Sequence, residues 1–383
     1  MSVTITKQSL ISAAGLAALL LIGAPFAMSI LDEKPELTGA WKERFQDVNK
    51  LNEYAKTQSV ALSKVTIAQK DIDGAILNGG RFENTDWKEV SVKKATLTKT
   101  VFSKGILENV DFSNSTLTDV VFEDVTLWGA RFFHTTLNNV RFVRCTFNGV
   151  NVDKTQASRI EVVNSRVVST SFSEGQLAAV FRNSKLEKET ELTDLIAPSS
   201  LTFEKSELDE VLMERSKLKE LVINDSKFDV IFDVGSADTI SIRNSVVDTS
   251  FSETIIGKLS VADSVITKMM FNGAKVNSMS FENCRRLQGI GMYQATIGTL
   301  DITRCPLNDF DIPETNITTL RIKDSSITES KFESVKAKIV ILENVSLDGN
   351  LDFTGAHIGE LKTKNVTKQP ALNLITTGSN VKF

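Results

Sequence analysis

Residues 64–153, cut into fives, read KVTIA QKDID GAILN GGRFE NTDWK EVSVK KATLT KTVFS KGILE NVDFS NSTLT DVVFE DVTLW GARFF HTTLN NVRFV RCTFN GVNVD. The fourth residue of every block is apolar. Continued through Val163 the count is twenty blocks without an exception, from Ile67, Ile72 and Leu77 to Ala157 and Val162. Against a 41% apolar composition, twenty hits in one register have a chance of roughly 10⁻⁸, so this is a repeat. The second residue is small or β-branched in nineteen blocks, Lys70 being the exception, and the third is polar in sixteen. Places two and four inward, with one, three and five outward, is the alternation of a strand interrupted by a corner every five residues. A helix cannot reproduce it.

A chain that bends at each such corner closes a four-sided turn in twenty residues, and that longer period is present. Lys64, Asn84, Lys104, Asp124, Arg144, Asn164, Asn183, Lys205, Asp225, Asn244, Asp263, Asn283, Arg304, Asp324, Asn344 and Asn365 form one column, and eleven of the sixteen are Asn or Asp. Those two residues tolerate turn conformations and hydrogen-bond neighbouring backbone. The next residue in each case is mostly Ser, Val or Cys, so small side chains are predicted to stack just inside this corner.

Blocks such as GAILN, GARFF and KATLT resemble the pentapeptide-repeat family, whose motif is a small residue, then Asp or Asn, then a central Leu or Phe. The resemblance is unbroken over residues 64–163 and continues with slips to about Val366. It departs from the family pattern where Thr, Arg or Val replaces the Asp/Asn before the centre, and where the centres drift to Ile and Val beyond residue 240. The resemblance implies an all-β fold, a right-handed quadrilateral parallel β-helix of about 15 coils of 20 residues. At ~4.8 Å per coil such a rod is about 70 Å long.

The rod's ends need covers, because each coil is supported only by its neighbours. Trp41, Phe45, Val48, Leu51 and Ala55 predict one amphipathic helix over residues 38–56 as the first cap. The tail with Pro370 and the apolar run 371–375 is the candidate for the second. The expected organisation is therefore residues 1–31 as signal peptide or transmembrane anchor, 32–58 as capping helix, 59–366 as β-helix and 367–383 as cap or tail. Leu10 to Leu31 carries no charge and is long enough to cross the ~30 Å hydrocarbon core. With Lys7 before it and Asp32 and Glu33 after, the body of the chain is expected outside the cytoplasm, at the inner membrane facing the periplasm, or secreted if cleavage occurs after Ala27-Met28-Ser29.

Composition removes several classes of function. The net charge of −4, from 44 basic and 48 acidic residues, does not suit electrostatic nucleic-acid binding. Two histidines and three cysteines without a CxxC leave little from which to build a zinc site or a His-based triad, so no metal, cofactor or catalytic residue is assigned. Asp71 and Asp111 share a column with Ser91 between them, and no dense Asp cluster is evident. Cys284 and Cys305 fall in one inward column on adjacent coils, as a bridge or, more simply, as free buried thiols.

Large side chains at outward places mark a docking patch: Trp128 and Phe133, beside Arg131, Arg141, Arg144 and Arg159 and near Arg166 and Arg182. Leu212, Met270 and Tyr293 are further apolar side chains placed outside. Residues 188–199, KETELTDLIAPS, lying with Glu187 in a coil of 22-residue spacing, predict a protruding acidic loop, and the slip at residues 285–289 predicts a bulge that turns Arg286 outward, since a buried unpaired guanidinium is too costly. The favoured reading is a non-enzymatic envelope scaffold with protein partners, a membrane contact through residues 10–31, no nucleic acid, and self-association allowed. The family resemblance implies one alternative, a cytoplasmic DNA-mimicking protein that binds type II topoisomerases. The β-helix implies another, a polysaccharide-acting enzyme.

Overall fold

The computed structural model describes residues 34–382. From Ala61 to Ile375 the chain is one continuous parallel ladder in which each strand pairs with the strand about twenty residues on: Leu62 with Phe82, Phe82 with Phe102, and so on to Leu351 with Leu374. All twenty central residues of the regular blocks are buried. Every fifth residue from Lys64 to Lys154, nineteen in succession, has a positive φ, and this left-handed residue carries the chain from one face onto the next. In the first coil, residues 60–64, 65–69, 70–74 and 75–79 are faces 1, 2, 3 and 4.

Two of the four corners persist to the end of the rod. The corner after face 1 is the column read from the sequence, and all sixteen of its residues, Lys64 to Asn365, are left-handed. The corner after face 3 also has sixteen, from Gly74 to Gly378. The corner between faces 4 and 1 behaves differently. It is left-handed only through Asn139; from Gln156–Val163 onward both faces merge into single extended strands such as Lys217–Asn224 and Thr296–Thr303. Relaxing one corner lets a coil lose a residue without disturbing the others, as in the step from Asn164 to Asn183. Gly298 shows the constraint this imposes, because a Cβ there would stand 2.3 Å from the Asn277 carbonyl oxygen of the preceding coil.

The core follows the ladder. On face 1, Phe82, Phe102, Phe122 and Phe142 stack with centroids 4.8–5.0 Å apart, the coil spacing itself. Phe112 and Phe132 stack on the opposite face at 5.1 Å and meet the first stack edge-on.

At the N-terminal end the expected single helix is two, α1 (Gly39–Arg44) and α2 (Val48–Ala55). The break lets Phe45 turn fully inward, its ring 6.1 Å from Trp87, while the Asp47 carboxylate caps α2 by accepting the Asn49 N–H. Ahead of them Pro35 accepts the Thr66 N–H at 2.8 Å, so the first strand edge is covered. At the other end the run 371–375 is not a cap, because Asn373–Ile375 pairs with Asn350–Asp352 as part of a further coil. Only the residues after it fold over, burying Val381.

Residues 188–199 do not protrude as a loop. Glu191 pairs with Ser171 below and Leu212 above, Leu192 and Leu195 are buried, and the two extra residues are absorbed singly, before Glu189 and around Ile196. The apolar spacing explains this, since Leu192 and Leu195 still need the core. Arg286 is exposed, as the slip predicted, and Leu287 takes the inward place. The apolar segment Leu10 to Leu31 lies outside the described residues; among those described, no helix is long and apolar enough to cross a membrane.

Candidate functional surface

The fold distributes the candidate docking residues over two sides of the rod. Trp128 ends a strand on face 2, and Gly129 turns the corner with φ of 61°. A Cβ at Gly129 would lie 2.4 Å from Asn109 Oδ1, so here glycine leaves room for the Asn109 side chain of the preceding coil. Arg131 and Phe133 then stand on face 3. Trp128 is 37% exposed, whereas Phe133 is half-buried, edge-on to His134 at 4.4 Å and under the Lys154 ammonium at 5.3 Å from its centroid.

Arg141, Arg144 and Arg159 belong to face 1 and its two corners, the side opposite Arg131. They do not form a free basic patch. The Glu161 carboxylate accepts from Arg159 at 2.5 Å and from Arg141 at 3.1 Å, with Arg182 at 3.9 Å, and these guanidinium groups, the Arg159 hydrogen bond first, hold its carboxyl below the usual range. Arg144 bonds Asp124 through two nitrogens and Glu123 through one; its hydrogen bond lowers the Asp124 pKa. Arg166 pairs in the same way with Glu187 on the next coil. The separation was legible in the repeat, because residues ten apart, such as 131 and 141, occupy opposite faces of a twenty-residue coil.

One cluster escaped the sequence reading. Asp209, Asp229 and Asp248 occupy one column on face 2 in three successive coils, each following an inward residue, Leu208, Phe228 or Val247. Burial and the repulsion of Asp248, Asp209 and Glu210 raise the Asp229 pKa. The column was obscured by the 22- and 19-residue steps around it; the recurring apolar-then-Asp pair was the available signal. Among the described residues, no three of His, Cys, Asp and Glu are placed to hold a metal ion. Of the other apolar side chains read as outward, Tyr293 is exposed and Leu212 and Met270 are half-buried.

The corner after face 1 carries a buried polar ladder. The N–H of Ser184 donates to Ser206 Oγ, that of Ser206 to Ser226 Oγ, and that of Ser226 to Ser245 Oγ, all within 3.1–3.2 Å. Each of these hydroxyls in turn donates across its own corner, as Ser206 does to the Glu204 carbonyl at 3.0 Å. The small column predicted on volume is therefore also a hydrogen-bonding device, supplying acceptors where the corner interrupts the strand ladder. Outside it runs a shallow groove of three open cavities, about 910, 950 and 610 Å³, bordered by corner residues from Asp124 to Asn365.

Five-residue faces, left-handed corners and a twenty-residue parallel ladder together decide the architecture. In fold, the chain is a four-sided parallel β-helix, the architecture that the resemblance to pentapeptide-repeat proteins implied. No family model matches the sequence, and no curated protein matches it. Among solved structures the chain is similar to QnrB1, a plasmid-mediated fluoroquinolone resistance protein, at 20% identity over 39% of this chain and 72% of that one, with a TM-score of 0.23. It is similar to HetL, a pentapeptide repeat protein involved in heterocyst differentiation regulation in the cyanobacterium Nostoc, at 12% identity over 83% and 93%, with a TM-score of 0.19. An alginate lyase matches at 8% identity over 84% and 85%, with a TM-score of 0.24.

Proposed function

We propose that this protein is a non-enzymatic binding rod, an extracytoplasmic scaffold held at the inner membrane by Leu10 to Leu31 and engaging protein partners through the corner that carries Trp128 and Phe133. The observation that carries the reading is the placement of Trp128, an exposed indole beside a glycine corner on a surface that the ladder holds rigid. A rigid aromatic anchor loses little conformational entropy on burial, which is what a binding hot spot requires. The ion pairs that join successive coils support it further: face 1 and its corners carry alternating charge, which does not suit imitation of a nucleic-acid duplex.

The test has two parts. Cell fractionation should place the full chain in the membrane or periplasmic fraction; a soluble cytoplasmic protein would remove the envelope reading. Cross-linked pull-down from those fractions should recover partners with the wild type and lose them with Trp128→Ala/Phe133→Ala. Unchanged partners would remove this corner as the docking site.

A further inference from the structure

Cys284 and Cys305 interrupt the serine ladder at successive rungs. Both are free and buried, and the Cys284 N–H donates to Cys305 Sγ at 3.3 Å, the place that a serine hydroxyl takes elsewhere in the column. Their coils are parallel strand neighbours, spaced ~4.8 Å, inside the Cα separation of about 4.4–6.8 Å that a disulfide spans. Cys305, itself only 1% exposed, forms part of the floor of the 610 Å³ cavity of the outer groove, together with Arg304, Pro306 and Ser326, so a local opening of this corner exposes its thiol to a small molecule in the groove. Cys145, in the same column, has serine and valine around it and no second thiol.

From this geometry we infer that Cys284 and Cys305 are a redox-active pair, which a small-molecule disulfide oxidises to an intramolecular bridge stapling two adjacent coils. Cys305 is the attacking thiol. The hydrogen bond from the Cys284 thiol, with the Cys284 N–H and the neighbouring Arg304, lowers its pKa; the same thiol–thiol contact, and then burial, push the Cys284 thiol up. The Cys305 thiolate attacks one sulfur of the oxidant, forming a mixed disulfide and releasing one small thiolate, which takes up a proton. Cys284 then loses its proton to solvent and attacks Cys305 Sγ, displacing the second small thiol. Two protein thiols are oxidised by two electrons, and one small disulfide is reduced to two thiols.

The test uses the full chain, oxidised glutathione as the probe, alkylation of remaining thiols, denaturation, digestion and mass spectrometry. The expected product is a linked pair of peptides carrying Cys284 and Cys305, lighter by two hydrogens than their sum, with Cys145 alkylated. Burial pushes the Cys145 thiol up to about 12, so it is the internal control. Serine is native to this column, so Cys284→Ser and Cys305→Ser should keep the fold. Cys284→Ser should trap glutathione on Cys305, and Cys305→Ser should leave Cys284 unmodified. A pair that stays fully alkylated after exposure, a bridge between two chains, or an adduct trapped equally by both variants would overturn the inference.

Discussion

Asn52 and Asn380 close the two ends of the rod by the same device. Asn52, on α2, accepts the Ile76 N–H at 2.7 Å and donates to the Gly74 carbonyl at 3.1 Å. Asn380, past the last strand, accepts the Ile358 N–H at 2.9 Å and donates to the Ile358 carbonyl at 2.7 Å. A side-chain amide carries the donor and acceptor of a peptide unit, so each asparagine stands in for the strand that is missing beyond the end. Asn52→Ala should cost about 0.5–1.5 kcal/mol, the net worth of hydrogen bonds that water replaces in part. Asn52→Asp, which keeps only the acceptor, should recover part of that. Chemical denaturation measures both, and amide exchange at Ile76 should quicken in the alanine variant.

The serine ladder predicts an order among substitutions at one site. Ser206→Ala removes the acceptor for the Ser184 N–H and should cost about 1–3 kcal/mol. Ser206→Cys should cost less, because Cys305 already fills the equivalent role for Cys284. Equal stability of the alanine and wild-type proteins in thermal unfolding would show that the ladder is space-filling alone.

Val234 has φ of 57° and is 57% exposed. Among the described residues it is the one β-branched side chain in a left-handed corner, where the branch meets the backbone most severely. Val234→Asn should therefore stabilise the protein by about 1 kcal/mol. The comparison is a pair of unfolding curves, and a loss of stability would mean that the valine is held by packing that outweighs its strain.

Asp229 gives a pH-dependent effect of determined sign. Its carboxyl binds a proton more tightly in the fold than in the unfolded chain, so at neutral pH its charge opposes folding and acidification through the raised pKa relieves that opposition. Asp229→Asn should be more stable than wild type near pH 7, and the gain should shrink as pH falls toward the ordinary carboxylate range. Urea midpoints for both proteins across that window test it; a gain independent of pH would assign the effect to packing.

Trp87 is fully buried and its indole N–H has no partner. Trp87→Phe deletes that donor and keeps the edge-on contacts with Phe82 and Phe102, so it should be close to neutral. Trp87→Ala should cost about 3–5 kcal/mol through the cavity it leaves. Both are measured as shifts in the denaturation midpoint.

The repeat by itself determined which side chains face inward, from Ile67 to Val162, and the corner column from Lys64 to Asn365, because alternation along a strand and the left-handed corner are local properties written every five residues. It also exposed the slip at Arg286, where a charge on an inward place forces the chain to shift. Tertiary structure decided what depends on accumulated register. The Asp209, Asp229 and Asp248 stack, the pairing of Arg141 and Arg159 with Glu161, and the absorption of residues 188–199 into the coil follow from which residues become vertical neighbours once coils of 19 to 22 residues are superimposed. Break points in the capping helices were decided there too, since Phe45 turns inward only because Trp87 and the first coil offer it a core to enter.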